Sequence, residues 1–261
     1  MNARYYLDTN ALRSLANHLP EDAFARGIYS SFLAVSEIVS GMNHNNFQER
    51  KNILDRVLKE KINIVRFSPE SLLMLAYGVT YPGSLLFESQ FRRLLPVING
   101  FLTYEELVES DDWRDIMMVI KAKDDISRMC PREVEKSFLE KDDPVVKEFE
   151  ERWKPDRFET NLQIVENSYG GSLMDCYGVE NVKVYNHSID LFMLCMGWFM
   201  DCASSKHQHP GNNDYIDLQH IMYVGTDAIM VSDDKKLRRT ISAIDNTRVM
   251  SIAEFRQEQG I

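Results

Sequence analysis

The sequence predicts an α/β protein built on a central parallel sheet. Short apolar runs rich in β-branched and aromatic residues occur near both ends of the chain, and helix-forming stretches follow them. Turn and capping residues stand at several of the junctions. Strands that alternate with helices in this way pair in parallel, because each helix returns the chain to the same end of the sheet.

The first strands are predicted within residues 1–84. Residues 4–8 form an apolar, aromatic run that ends in Asp8, and helix formers follow the turn at Thr9-Asn10. Residues 31–39 are predicted to begin as a second strand over 32–35, with Glu37 just inside the next helix. Residues 61–67 predict a third strand, followed by an N-cap serine and a proline at the first helical position.

The rest of the chain divides into two parts. Residues 85–205 hold long charged and apolar stretches with apolar residues at three-and-four spacing, which predicts a large, mainly helical insertion. Residues 206–261 return to the α/β pattern, with a helix from Asp214, strands at 228–232 and 247–251, and a closing helix. We therefore expect one α/β domain made of 1–84 and 206–261, with 85–205 packed on or within it.

Composition excludes some classes of protein. The longest apolar run, residues 191–200, is far shorter than the roughly 20 residues that a membrane span needs. The N-terminal residues show no secretory signal, so we expect a cytoplasmic protein that does not contact a membrane. Its 4 cysteines are expected to be reduced thiols.

The chain is acidic, with 40 Asp and Glu against 30 Lys and Arg. Such a balance argues at first against a nucleic-acid partner. However, residues 101–160 alone carry 18 acidic and 11 basic side chains. The excess charge is therefore concentrated in the insertion, which we expect to face solvent or a protein partner.

Carboxylates follow the predicted strands at one edge of the sheet. Asp8, Glu37 and Asp234 each come after a different strand, and Asp214 and Asp217 share one helix face at i and i+3 spacing. Five acids at one edge would repel one another, and a bound divalent cation removes that conflict. Oxygen ligands alone favour Mg²⁺ or Mn²⁺.

Each acid also has a purely structural interpretation. A lone Asp at a strand end, such as Asp8, is more often a turn or helix-cap residue. Asp214, just after Asn212-Asn213, is equally explained as an N-cap or first-turn acid that the helix dipole favours. Glu37 alone is typical of a solvated surface, and Asp233-Asp234 before two lysines is typical of an ordinary loop. Their combination in this order is what favours a site.

Four short motifs together resemble the acidic motifs of PIN-domain nucleases. They are YLDTN at 6–10, AVSEI at 34–38 with Gly41 after it, NDYIDLQH at 213–220, and VSDDKKL at 231–237. The segment VMSIAEF at 249–255 is similar to the usual end of that domain. The resemblance covers roughly residues 1–80 and 210–258 and implies a PIN-like three-layer fold, here enlarged by the helical insertion.

The resemblance also implies roles for individual residues. Asp8, Glu37, Asp214 and Asp234 match the catalytic acids that hold Mg²⁺ or Mn²⁺, and Asp217 matches a further acid of some relatives. Asn10 and Ser232 match small polar positions that orient the metal ligands. Asp233 is a rival to Asp234, because a one-residue slip exchanges them; we prefer Asp234 because VSDDK then matches the motif order.

The implied activity is metal-dependent hydrolysis of phosphodiester bonds, most often in single-stranded RNA. A toxin of a toxin–antitoxin pair, a phage-defence effector and an RNA-processing enzyme all share these acids. An antitoxin or other protein bound to the insertion, and a homodimer, are the partners expected besides RNA. Lys235, Lys236 and Arg238 follow the last acid and either contact flanking phosphates or form a solvated helix face.

Other interpretations stay open. The domain is alternatively a catalytically silent PIN-like module for RNA binding or assembly. A phosphohydrolase of the haloacid-dehalogenase type would need D-x-D-x-T after the first strand, which Asp8-Thr9-Asn10 does not supply. Zinc at Cys195, Cys202, His207 and His209 is disfavoured, because the close C-x₂-C pair is missing. His220, three residues after Asp217, either orients that carboxylate or is simply packed.

Overall fold

A five-stranded, all-parallel sheet forms the centre of the computed structural model, in the order β3-β2-β1-β4-β5. The structure describes residues 4–57, 62–79, 93–94, 97–121, 162–167, 184–205 and 214–261. The strands are β1 (Arg4–Leu7), β2 (Ile28–Ser31), β3 (Asn63–Val65), β4 (Ala228–Val231) and β5 (Val249–Met250). The predicted α/β class with a parallel sheet is therefore confirmed.

Helices connect and flank these strands. Those with defined bounds are α1 (Thr9–Leu15), α2 (Phe32–Ser40), α3 (Phe47–Arg56), α4 (Pro69–Ala76), α5 (Tyr104–Glu109), α6 (Asp190–Ser205), α7 (Asp214–Ile221), α8 (Lys235–Ile244) and α9 (Ile252–Gln259). Side-chain caps begin many of them. As predicted, Ser68 caps α4 with Pro69 at the first helical position.

Helices pack on both faces of the sheet. Alternation along β1 sends Tyr5 and Leu7 into one core and Tyr6 into the other. Helices α1, α2, α3 and α9 supply the first core, whereas α4, α6, α7 and α8 supply the second. The sheet is thus the middle of three layers, and its strands are buried on both sides.

The predicted strand over residues 32–35 is wrong. Strand β2 lies earlier, at Ile28–Ser31, and α2 begins at Phe32. The Ser31 side chain accepts a hydrogen bond from the backbone N–H of Ala34 at 3.2 Å, which caps the helix. Glu37 lies in the second turn of α2, inside the helix as predicted.

Described parts of residues 85–205 contribute to both cores. Leu107, Trp113 and Ile116 pack in the first core, and Ile164 and Phe192 in the second. These apolar side chains cover the faces of the sheet. His207 and His209 lie outside the described residues.

Within the described part of the chain, every helix is too short or too polar to cross a membrane.

Candidate active site

A pocket opens beyond the carboxyl ends of β1 and β4. Leu7 pairs with Val231 in the parallel register, so Asp8 and Ser232 emerge side by side at this edge. Strand β1 has β2 on one side and β4 on the other, so the order of the strands reverses between β1 and β4. Open α/β sheets bind their ligands at such a branch point. The pocket encloses about 200 Å³ and is lined by Asp8, Thr9, Asn10, Arg13, Glu37, Arg50, Asp217, His220, Asp234 and Leu237.

Two of the predicted acids are fixed by helix caps. Oδ1 of Asp8 accepts a hydrogen bond from the N–H of Ala11 at 2.7 Å, and Oδ1 of Asp234 accepts one from the N–H of Leu237 at 2.7 Å. Ser232 is fully buried; its hydroxyl accepts from the N–H of Asp234 and hydrogen-bonds Asp8. Asp8 and Asp234 therefore each cap a helix and also line the pocket.

Asp233 and Asp234 point to different places. Oδ1 of Asp233 accepts a hydrogen bond from the N–H of Ile252 at 3.0 Å, at the start of α9. Asp234 lines the pocket. The bond to α9 gives Asp233 a structural task, and its neighbour is the one placed among the other carboxylates.

A chain of hydrogen bonds holds Glu37. Nε2 of His220 lies 2.9 Å from Oε2 of Glu37, and Nδ1 of His220 lies 2.6 Å from the hydroxyl of Tyr6. Thr9 donates its hydroxyl to the same Glu37 oxygen. His220 is only 3% exposed, so this arrangement is rigidly packed. The sequence left open whether His220 orients Asp217 or is simply packed; the carboxylate that it hydrogen-bonds is Glu37.

Crowding and burial raise the pKa values of two pocket carboxyls. Burial raises the pKa of Asp8, despite hydrogen bonds and the nearby His220 that act in the opposite direction. Burial, together with the negative charges of Asp234, Glu37 and Asp214, raises the pKa of Asp217 to about 7. Without a cation, the ionised forms of these acids are therefore destabilised.

The Glu37–His220 pair behaves in the opposite way. Burial alone would raise the pKa of Glu37 and lower that of His220. Their mutual attraction outweighs burial, so the pKa of Glu37 is lowered and the pKa of His220 is raised. The pair is thus stabilised in its charged form, with a proton on the imidazole.

The remaining predicted residues lie around the pocket. Asn10 lines it, whereas Asp214 forms an ion pair with Lys236 beside it and acts on Asp217 through its charge. Arg238 lies 3.6 Å from a carboxylate oxygen of Glu254. Lys235 is exposed. Of the three predicted phosphate contacts, Lys235 and Lys236 are exposed on α8 and Arg238 is half-buried, and Lys236 and Arg238 already have carboxylate partners.

Two arginines in the pocket were missed by sequence reasoning. Arg50 comes from α3, and its Nη1 donates to the backbone oxygens of Glu37 at 3.3 Å and Ile38 at 2.5 Å. The guanidinium lies over Gly41, where a Cβ atom would fall 2.3 Å from Nη1. Burial and the charge of Arg13 lower the pKa of Arg50. Because Arg50 reaches the site through packing of α2 and α3, no local motif announces it.

The donor chemistry of the pocket fits a hard divalent cation. Asp8, Glu37, Asp217 and Asp234 offer carboxylate oxygens only, which suit Mg²⁺ or Mn²⁺. As the side chains stand, no three His, Cys, Asp or Glu residues of the described ranges are gathered into a metal-binding group. Three of these acids, Asp8, Glu37 and Asp234, accept hydrogen bonds from protein groups instead.

Comparison with known proteins gives no match: neither a family model, nor a curated protein, nor a solved structure is similar to this chain.

Proposed function

We propose that this protein is a Mg²⁺- or Mn²⁺-dependent nuclease of the PIN type that hydrolyses single-stranded RNA. The observation that carries the proposal is the meeting of four carboxylates, Asp8, Glu37, Asp217 and Asp234, in one pocket at the branch point of the sheet. The order of the acidic motifs along the chain supports the family, and the three-layer packing is compatible with it.

The protein groups have separate tasks in this mechanism. When bound, the cation lowers the pKa of a water and neutralises charge on the phosphate. Asp8 and Asp234 hold it from helix starts that the two caps keep in place. His220 and Thr9 keep Glu37 in its orientation, because both hydrogen-bond its Oε2 atom. Loss of such an orienting neighbour commonly lowers metal affinity by roughly 10- to 100-fold.

Asp217 makes cation binding depend on pH. Burial and the neighbouring acids raise its pKa to about 7, so the carboxyl keeps its proton at pH values where an ordinary Asp has lost it. A carboxyl must lose that proton to become a metal ligand. Cation affinity should therefore rise as pH increases through 7.

A cytoplasmic role as a toxin, a defence effector or an RNA-processing enzyme is compatible with this chemistry. An antitoxin or another protein is proposed to bind the acidic stretch at 101–160, and a second copy of the chain is the other proposed partner. RNA binding without cleavage is the alternative function, and the same assay separates the two.

Incubation of the purified protein with labelled single-stranded RNA, single-stranded DNA and duplex, in Mg²⁺, Mn²⁺ or EDTA, tests the proposal. Asp8→Asn and Asp234→Asn are the informative variants, because Asn preserves the helix cap while removing the charge. Asp111→Asn is the matched control, since Asp111 is 92% exposed and far along the chain from the pocket motifs. We expect metal-dependent RNA cleavage by the wild type and the control alone. Cleavage by both pocket variants would refute the assignment, and metal-independent RNA binding without cleavage would favour the silent module.

A further inference from the structure

Two arginine side chains in the pocket, the half-buried Arg13 and the buried Arg50, each keep one hydrogen-bond donor unused. Nε of Arg13 and Nε of Arg50 are both buried, and neither has a hydrogen-bond partner. Within the described ranges, neither guanidinium belongs to an ion pair. Buried donors are nearly always paired in folded proteins, so two such atoms in one pocket indicate a missing acceptor.

Arg50 is held in place by contacts with α2 and the segment after it. It is only 9% exposed, and its Nη1 is anchored on the backbone oxygens of α2. Gly41 leaves the space that the guanidinium fills. The anchoring uses Nη1, whereas the buried Nε–H has no acceptor. Arg50 is therefore fixed by its hydrogen bonds to α2 and still has an N–H donor free for a ligand.

The occupant must carry negative charge and several acceptor oxygens. Arg13 and Arg50 both line the pocket, and their positive charges repel each other. An anion bound next to them would remove this repulsion. A guanidinium matches the oxygens of a phosphate through parallel N–H donors. The neighbouring carboxylates would repel such an anion, but a cation held by them removes that repulsion.

We propose that Arg13 and Arg50 bind the non-bridging oxygens of a backbone phosphate of the single-stranded RNA substrate. This inference rests on the proposed function, and it moves phosphate recognition from the outer surface of α8 into the pocket itself. Lys236 and Arg238, which the sequence favoured, are near carboxylates of the protein instead.

Binding of a labelled single-stranded RNA, followed by fluorescence anisotropy over a series of salt concentrations, tests this proposal. One arm contains EDTA, and the other contains Ca²⁺ in place of Mn²⁺ so that the carboxylates are neutralised. The variants are Arg13→Gln and Arg50→Lys, with Arg239→Gln as the control because Arg239 is exposed on α8. Arg13 makes no hydrogen bond to other described residues, so Arg13→Gln leaves the fold's bonding unchanged even if Arg50→Lys disturbs α2.

We expect Arg13→Gln to raise the RNA Kd about tenfold and to flatten the slope of log K against log salt by about 0.7, the loss of one phosphate contact on a single strand. Arg50→Lys should weaken binding as well, because an ammonium lacks the planar fork. Arg239→Gln should bind like the wild type. Wild-type Kd and slope in Arg13→Gln, or no RNA binding by the wild type in either arm, would overturn the proposal.

A parallel melting experiment with inorganic phosphate separates a polynucleotide from a small phosphate ligand. Stabilisation by inorganic phosphate that Arg13→Gln abolishes, while RNA affinity is unchanged, would assign the arginines to a free phosphate and overturn the backbone assignment. The binding arms do not require turnover. Arg13-dependent RNA binding without cleavage in Mn²⁺ would thus refute the nuclease function and leave the phosphate contact intact.

Discussion

Asp217→Asn should stabilise the metal-free protein, and the gain should grow with pH. The pKa of Asp217 rises from 3.8 to about 7 on folding, chiefly through burial and then through its acidic neighbours. In this window the folded state binds more protons than the unfolded state, so the free energy of unfolding falls as pH rises from about 4 to 7. Asparagine carries no charge and escapes this loss.

The size of the effect follows from the shift. At about 1.36 kcal/mol per pKa unit, Asp217→Asn should raise the free energy of unfolding by at most about 4 kcal/mol at pH 8 and about 2 kcal/mol at pH 5.5. Solvent in the open pocket screens the charges, so we expect about half of each value. For a chain of this size, the melting temperature should rise by roughly 4–8 °C at pH 8 and by roughly 2–4 °C at pH 5.5.

Calorimetric melting in EDTA at the two pH values measures this difference. Asp111→Asn makes the same chemical change at a side chain that is 92% exposed, and it should leave the melting temperature unchanged. Equal gains at both pH values, or no gain at pH 8, would refute the idea that carboxylate crowding destabilises the pocket. Added Mn²⁺ should reduce the difference in melting temperature between Asp217→Asn and the wild type, because it stabilises the wild type more than the variant.

Three further perturbations address the pocket walls. Asp8→Asn keeps the cap acceptor and should leave the free energy of unfolding unchanged or slightly higher, whereas Asp8→Ala should cost about 1 kcal/mol in urea unfolding; equal losses would contradict a capping role. The pKa of His220 is raised from 6.5, so its pairing stabilises the fold below that pH and this stabilisation is lost as pH rises through the folded-state pKa. The stability difference between wild type and His220→Gln should therefore shrink as pH rises above 6.5, and a constant difference would count against the charged pair. Gly41→Ala should displace the guanidinium of Arg50 and cost about 1–3 kcal/mol, whereas Gly100→Ala, where a Cβ meets nothing within 4 Å, should not destabilise; a wild-type urea midpoint for Gly41→Ala would contradict the packing.

Local sequence patterns were sufficient for much of the fold. The strand before Asp8, the strand at 228–232 and the helix from Asp214 each have a distinctive apolar run or cap, and the structure contains all three. Residues 32–35 were misassigned because an apolar run of four is compatible with either a strand or a buried helix turn. The Ser31 cap settles that choice in favour of the helix.

The site was predicted only as far as strand ends could place it. Asp8 and Asp234 follow strands directly, so topology alone brings them to one edge. The pairing of His220 with Glu37 joins residues 183 positions apart, and Arg50 arrives through helix packing, so neither leaves a local signal. Asp214 has the sequence context of a ligand, yet Lys236 on α8 provides its partner.

Titration calorimetry of Mn²⁺ into the wild type and into Asp8→Asn tests the central claim most directly. We predict saturable binding to the wild type that weakens below pH 7, as Asp217 takes up its proton, and binding to Asp8→Asn that is weaker by at least about tenfold. Equal Mn²⁺ affinities in the two proteins, or no binding to the wild type above pH 7, would contradict a metal site in this pocket.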